Sequence, residues 1–296
     1  MKPHSAAHTA LAALTISFGA ASLCAQNTLD TTLAVRGRPR LAVSNTSGEI
    51  RVRAGSAGRI RIRAEYERSR VEIDQTVTRI TVRAVSRGRS SDAQFDITVP
   101  PGTVLELSGV STDVDVAGVC GEITANTVSG DVTLDCARGQ ATLNTVSGDL
   151  TLSGIDGATE ASATSGDVRI RDARGPIRAT TVSGAVSLEQ VESPDIEATT
   201  VSGEVLYTGR IVDNGRYRFE AHSGDVTVRI SGPLNATVTV STFSGEFESD
   251  FPIELQPGSR ISREWTFRQG SGSARIRLQS FSGTMNLRRL SGDREE

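Results

Sequence analysis

The chain has 296 residues, with 32 basic and 35 acidic side chains, three histidines and a formal net charge of −3. The histidines are too few for a histidine-rich metal centre, and the cysteines do not have the spacing of a zinc site. No run after the N-terminus is apolar enough to cross a membrane as a helix.

Lys2 precedes an apolar run, Ala10 to Leu23, that is too short to span a bilayer, and small residues follow up to Ala25-Gln26. Residues 1–25 therefore read as a signal peptide, so the protein is expected to be exported: periplasmic, associated with the cell envelope, or secreted. Leu23 beside Cys24 suits lipidation poorly. Cleavage after Ala25 would leave 271 residues, Cys120 and Cys136 as the remaining cysteines, and His222 as the remaining histidine. Lys2 is the only lysine, so every later cationic side chain is an arginine.

Residues 26–40 read as a leader. Residues 41–107 read as an irregular N-terminal β cap: Leu41-Ala42-Val43, then Ile50-Arg51-Val52-Arg53 and Ile60-Arg61-Ile62-Arg63, with arginines on alternate, outward positions. Arg87 to Asp92 reads as a loop, and Phe95 to Val99 as a strand ended by Pro100-Pro101-Gly102.

From residue 108 the chain repeats. Gly130, Gly148, Gly166 and Gly184 follow one another at 18 residues, each in a Ser-Gly turn. After each turn comes an apolar pair two residues apart: Val132 and Leu134, Leu150 and Leu152, Val168 and Ile170, Val186 and Leu188. Alternation with period 2 marks a strand with one buried face. A second set of glycines (Gly121, Gly139, Gly157, Gly175) marks another turn in the coil. One unit buries too little to fold alone, whereas stacked units share continuous inward columns. The expected fold is all-β: a single-stranded parallel β-solenoid (β-helix), right-handed by the usual rule for parallel crossovers, with coils of about 18 residues and irregular β caps at both ends.

Regular repeats run to residue 249 with widening steps. Residues 250–290 then form a C-terminal excursion and a last coil, and residues 291–296 a tail. Tyr217, Phe219, Phe243, Phe247, Phe251, Trp265, Phe267 and Phe281 concentrate the aromatics here, as a widened core and cap.

The run Val43 to Ile50 (VSNTSGEI), the strand Phe95 to Gly102 (FDITVPPG), the Ser-Gly-Asp repeats and the closing Ala274-Arg275-Ile276-Arg277-Leu278 with Phe281-Ser282-Gly283 occur in this order. In that combination the chain resembles the bacterial "putative adhesin" domain, an exported family of β-strand repeats of unknown function. The similarity covers residues 38–290. It implies a β-solenoid at the cell envelope and supplies no catalytic residues.

Asp113, Asp131, Asp149 and Asp167 fall in one column. Paired carboxylates are the machinery of glycoside hydrolysis, and a column of acids could also hold calcium. The favoured reading is structural, with Ser and Asp oxygens accepting main-chain N–H bonds in each turn. His222 stands in the column of Val128, Val146, Val182 and Val201, as a structural substitution rather than a catalytic base.

Charge divides along the chain. Residues 36–90 carry 14 arginines and 5 acids, whereas residues 91–166 carry 11 acids and one arginine, Arg138. Arg51, Arg53, Arg61 and Arg63 are the expected ligand-binding face, for an anionic envelope polymer or glycan, or for head-to-tail self-association with the acidic stretch. No aromatics interleave with these arginines, so nucleic acid is not an expected partner. Cys120 and Cys136 fall beside the turns of adjacent coils, where a disulfide between neighbouring coils is expected. The composite expectation is a non-enzymatic, adhesin-like envelope binding module without cofactor or metal. The competing readings are a polysaccharide hydrolase or lyase on a β-helix, and an envelope structural or stress-accessory protein.

Overall fold

Alternating sequence becomes alternating burial. In the strand Val168–Arg174, Val168 and Ile170 are buried while Arg169 and Arg171 point outward. The next strand, Ile177–Ser183, buries Ile177 and Ala179 and completes a coil. A computed structural model describes residues 27–67, 69–86, 92–253 and 264–290. The proposed signal peptide, the Arg87–Asp92 loop apart from Asp92, the middle of the C-terminal excursion and the tail lie outside these described residues.

The strands stack in parallel and in register. Leu150 pairs with Val132 on one side and Val168 on the other, each 18 residues away, and Leu152 pairs likewise with Leu134 and Ile170. Ala161 pairs with Leu143 and Ala179. Identical positions therefore form columns, and the inward columns merge into one core that reaches from Leu41 to Leu287. Burying a leucine-sized side chain contributes roughly 1.5–3 kcal/mol, and here each buried side chain lies between equivalents above and below. This is the parallel stacking of a β-solenoid, and the described residues contain no helix.

The Ser-Gly corner needs glycine for two reasons. Gly148 has φ 145°, and a Cβ there would run into the Gly130 carbonyl oxygen of the coil below. The same close approach links Gly166 to Gly148 and Gly184 to Gly166. Each coil's backbone thus rests on the next at this corner.

Both ends depart from chain order. Arg40–Ala54 lies between two later segments, pairing with Arg79–Ser86 and Asp92–Val99 on one side and with Val104–Ala117 on the other. At the far end, Ala274–Ser282 lies between Arg216–Ser223 and Ala236–Thr242. Met285–Arg289 lies in the same way between Val226–Ile230 and Phe247–Ser249. The expected last coil is therefore last in sequence but inserted in space. Antiparallel strands close both ends: Asn27–Ala34 on Arg59–Glu67, Arg59–Glu67 on Asp92–Val99, and Glu264–Gln269 on Ala236–Thr242. Within the expected leader, residues 26–40, Asn27–Ala34 forms a capping strand. Its alternating Leu29 and Leu33 pack against the core.

Candidate binding surface

The carboxylate column is built into the stack. The main-chain N–H of Asp131 donates to Asp113 Oδ1 at 2.9 Å, that of Asp149 to Asp131 Oδ1 at 2.8 Å, and that of Asp167 to Asp149 Oδ1 at 2.8 Å. The ladder continues from Ala185 N–H to Asp167, and recurs from Thr284 N–H to Asp225. The expected acceptors are thus aspartates, but each bond crosses to the next coil instead of closing its own turn. A parallel stack places the next coil's N–H directly above each carboxylate. Arg169 donates to both Asp149 and Asp167, at 3.1 and 2.5 Å. The Asp167 N–H, then Arg169, hold the Asp149 carboxyl below the usual carboxylate range against the opposing effect of burial. No group of three or more His, Cys, Asp or Glu suited to a metal ion occurs among the described residues.

Arg51, Arg53, Arg61 and Arg63 do share one outward face, which the cap assembles from distant strands. Arg51 and Arg63 both sit in register with Asp96. Folding also brings acids among them. Arg53 pairs with Asp115 at 2.5 Å, Arg61 with Asp30 at 2.6 Å, Arg51 with Glu49 at 2.6 Å and Arg63 with Glu65 at 3.9 Å. The Arg61 hydrogen bond lowers the Asp30 pKa. The linear excess of arginine is therefore interleaved with carboxylates, three of them (Asp30, Asp96, Asp115) from outside residues 36–90.

Cys120 and Cys136 are bridged, with Cα atoms 4.8 Å apart. Both have positive φ, 48° and 75°, as does Asp172 two coils beyond Cys136 at the same corner.

The column of His222 faces solvent, because the coil turns there. Val110, Val128, Val146, Val182 and Val201 are 43–49% exposed. His222 continues the row by stacking on Phe281 at 5.0 Å between ring centroids, and Phe281 stacks on Phe243 at 4.7 Å. The C-terminal aromatics thus divide. Tyr217, Phe219, Phe251 and Phe267 are buried, together with Tyr207, whereas Phe243 and Phe281 extend the exposed ridge. Burial raises the pKa of both tyrosines. Their hydroxyls donate to the main-chain oxygens of Arg210 and Ser193 at 2.9 and 2.7 Å. The recurring valine column was visible in the sequence; its exposure was not.

The Toastrack DUF4097 family profile matches residues 39–288, nearly the whole described stack. The chain belongs to the Toastrack DUF4097 family. This is the membership to which the ordered motifs pointed. No curated protein matches the chain. Among solved structures, a "putative cell adhesion protein" of Clostridium sporogenes is 8% identical, covers 90% of this chain and 100% of its own, and has a TM-score of 0.24. A "putative adhesin" of Parabacteroides distasonis is 10% identical over 88% and 98% of the two chains, with a TM-score of 0.34. Another, from Bacteroides fragilis, is 9% identical over 90% and 99%, with a TM-score of 0.37.

In this Toastrack chain several surface recesses among the described residues are open grooves lined by neighbouring coils. One, of about 380 Å³, runs beside the aromatic ridge and includes Glu220, Ser241 and Gln279. No helix among the described residues is long and apolar enough to cross a membrane.

Proposed function

We propose that this protein is an exported, non-enzymatic, adhesin-like module of the cell envelope that binds an extended polymer or glycan along its rod. The observation that carries this reading is the outward lattice. Side chains on successive coils stand in register, so charges and hydroxyls repeat at the strand spacing of about 4.8 Å. The polar column Asn144, Ser162, Thr180 and Thr199 is one example, and the ion pairs of Arg178 with Glu197 and of Arg171 with Glu189 stand in the same register. A repeating surface suits a repeating ligand. The right-handed winding expected from parallel crossovers belongs to the same reading.

The competing hydrolase reading needs two unlike carboxylates with separated pKa values across a substrate. The aspartates of the column are instead alike and engaged by main-chain donors. Incubating the protein with a panel of glycans and anionic envelope polymers, while measuring reducing-sugar release in parallel, tests the proposal. Binding without release is expected. Release that disappears in Asp149→Asn would overturn it in favour of an enzyme.

A further inference from the structure

Along the regular stack, outward arginines commonly meet acids in the neighbouring coil. Arg178 faces Glu197, Arg171 faces Glu189, and Arg216 faces Asp195 at 3.0 Å. The inserted closing coil breaks this pattern. It sets Arg275 in register with Arg216 and Arg277 in register with Arg218. The four guanidinium groups come from two adjacent strands, at alternate positions about 7 Å apart along each and about 4.8 Å across.

Like charges placed directly opposite on a sheet are destabilising. Two other matched arginine pairs have the charge relieved nearby. Glu106 binds both Arg40 and Arg79, at 3.3 and 2.6 Å, and Glu248 and Asp250 bind Arg288, the partner of Arg229. At the C-terminal cluster, Arg216 has Asp195, and Arg218 has Glu220 at 3.5 Å. Arg275 and Arg277 are exposed and have no carboxylate within ion-pair distance among the described residues. On their far side stand Thr237 and Thr239, in register with them. The four arginines and these hydroxyls line one groove of about 420 Å³, bounded on its other side by Asp195 and Glu197.

We propose that Arg216, Arg218, Arg275 and Arg277 form a binding site for an acidic polysaccharide, a chain carrying carboxylate or sulfate groups at regular intervals. Guanidinium groups bind such anions through paired parallel hydrogen bonds; the Thr237 and Thr239 hydroxyls, bonded to the Gly272 carbonyl and the Thr266 hydroxyl, keep a lone pair each to accept from sugar hydroxyls. The acids at one wall repel the ligand, so it lies over Arg275 and Arg277 toward the C-terminal cap. This assignment rests on the reading of the protein as a binding module and names its ligand class and site.

The test is titration of the full chain with polygalacturonate and with dextran sulfate, using neutral dextran as the uncharged control and the wider glycan panel alongside. Arg275→Gln with Arg277→Gln removes two exposed side chains without touching the core, and its melting temperature should be no lower than that of the wild type. Wild type should bind an acidic polymer with strong salt dependence. The double variant should bind at least about tenfold more weakly. Equal binding by wild type and the Arg275, Arg277 variant would overturn the site and leave the module reading standing, as would binding only to neutral glycans. Binding to nothing in the panel would overturn both.

Discussion

The main-chain N–H of Asp167 donates to the side chain of Asp149, one coil below, at 2.8 Å. Asp149 makes the same bond to Asp131 at 2.8 Å through its own N–H. A residue type that suggests catalysis in a list thus works here as a rung. The exposed corner of the stack is held by carboxylates, much as its interior is held by leucine and valine.

Leu152 and Asp149 separate the two layers of that design. Leu152 is fully buried between Leu134 and Ile170. Leu152→Asp places an unpaired charge in the core and should lower stability by several kcal/mol, a large part of a typical domain's stability. Asp149→Asn keeps an oxygen to receive the Asp167 N–H and weakens the contact with Arg169. Its loss should be about 1 kcal/mol or less. Urea melts of both variants check this; equal losses would reverse the assignment of inward and outward faces.

The same carboxylate predicts a pH dependence. Because its folded pKa is depressed, the Asp149 contribution is fully present above the unfolded value of about 3.9 and is lost as pH falls through the folded value. The stability gap between wild type and Asp149→Asn should therefore be constant near neutral pH and close as pH falls below about 4. Denaturant midpoints measured from pH 7 to pH 2 would show it. A gap that widens in acid would contradict the bond.

Two glycines distinguish close approach from backbone strain. Gly148 and Gly139 both have positive φ, 145° and 101°. A Cβ at Gly139 would meet nothing within 4 Å, whereas one at Gly148 would strike the Gly130 carbonyl. Gly139→Ala should cost about 1–3 kcal/mol from strain. Gly148→Ala should cost clearly more, because the coil beneath must move. Thermal melts giving the reverse order would refute the stacking of these corners.

The bridge between Cys120 and Cys136 spans 16 residues. For a loop of that size, reduction should lower stability by about 3 kcal/mol on a chain-entropy account. Denaturant melts with and without reductant measure the change. Thiol titration of the unfolded, unreduced protein beginning at Gln26 should find no free thiols, and finding two would exclude the bridge.

Much of this architecture was legible in the sequence. The alternation at Val132 and Leu134, repeated at Leu150 and Leu152, gives the strands, their buried face and their register from local pattern alone. The order of the terminal coils was not legible, because periodicity does not say which coil neighbours which. Gly224, Gly245 and Gly283 follow in sequence, yet Gly283 stacks on Gly224 and Gly245 stacks on Gly283. The surface suffered from the same blindness. Charge along the chain singles out Arg51, Arg53, Arg61 and Arg63, and Asp30, Asp96 and Asp115 join them only on folding. In the sequence Arg275 and Arg277 are only the polar positions of the closing strand motif; the inserted coil is what sets them against Arg216 and Arg218, 59 positions earlier. The exposure of the His222 column was illegible for a related reason: valines repeating in a column resemble core, and only the path of the coil turns them outward.

The insertion of Ala274–Ser282 between Arg216–Ser223 and Ala236–Thr242 underlies both the arginine cluster and the aromatic ridge, and disulfide trapping tests it directly. Glu220 pairs in register with Gln279, which pairs in turn with Ser241. Neighbouring strands hold paired Cα atoms about 4.8 Å apart, and the next strand but one stands about 9.6 Å away. Disulfides need roughly 4.4–6.8 Å. Glu220→Cys with Gln279→Cys should therefore oxidise to a bridge in the folded protein, as found by mass spectrometry of non-reduced peptides. Glu220→Cys with Ser241→Cys should remain as thiols. A bridge in the second pair and none in the first would mean that the coils stack in chain order, and the account of this surface would fail.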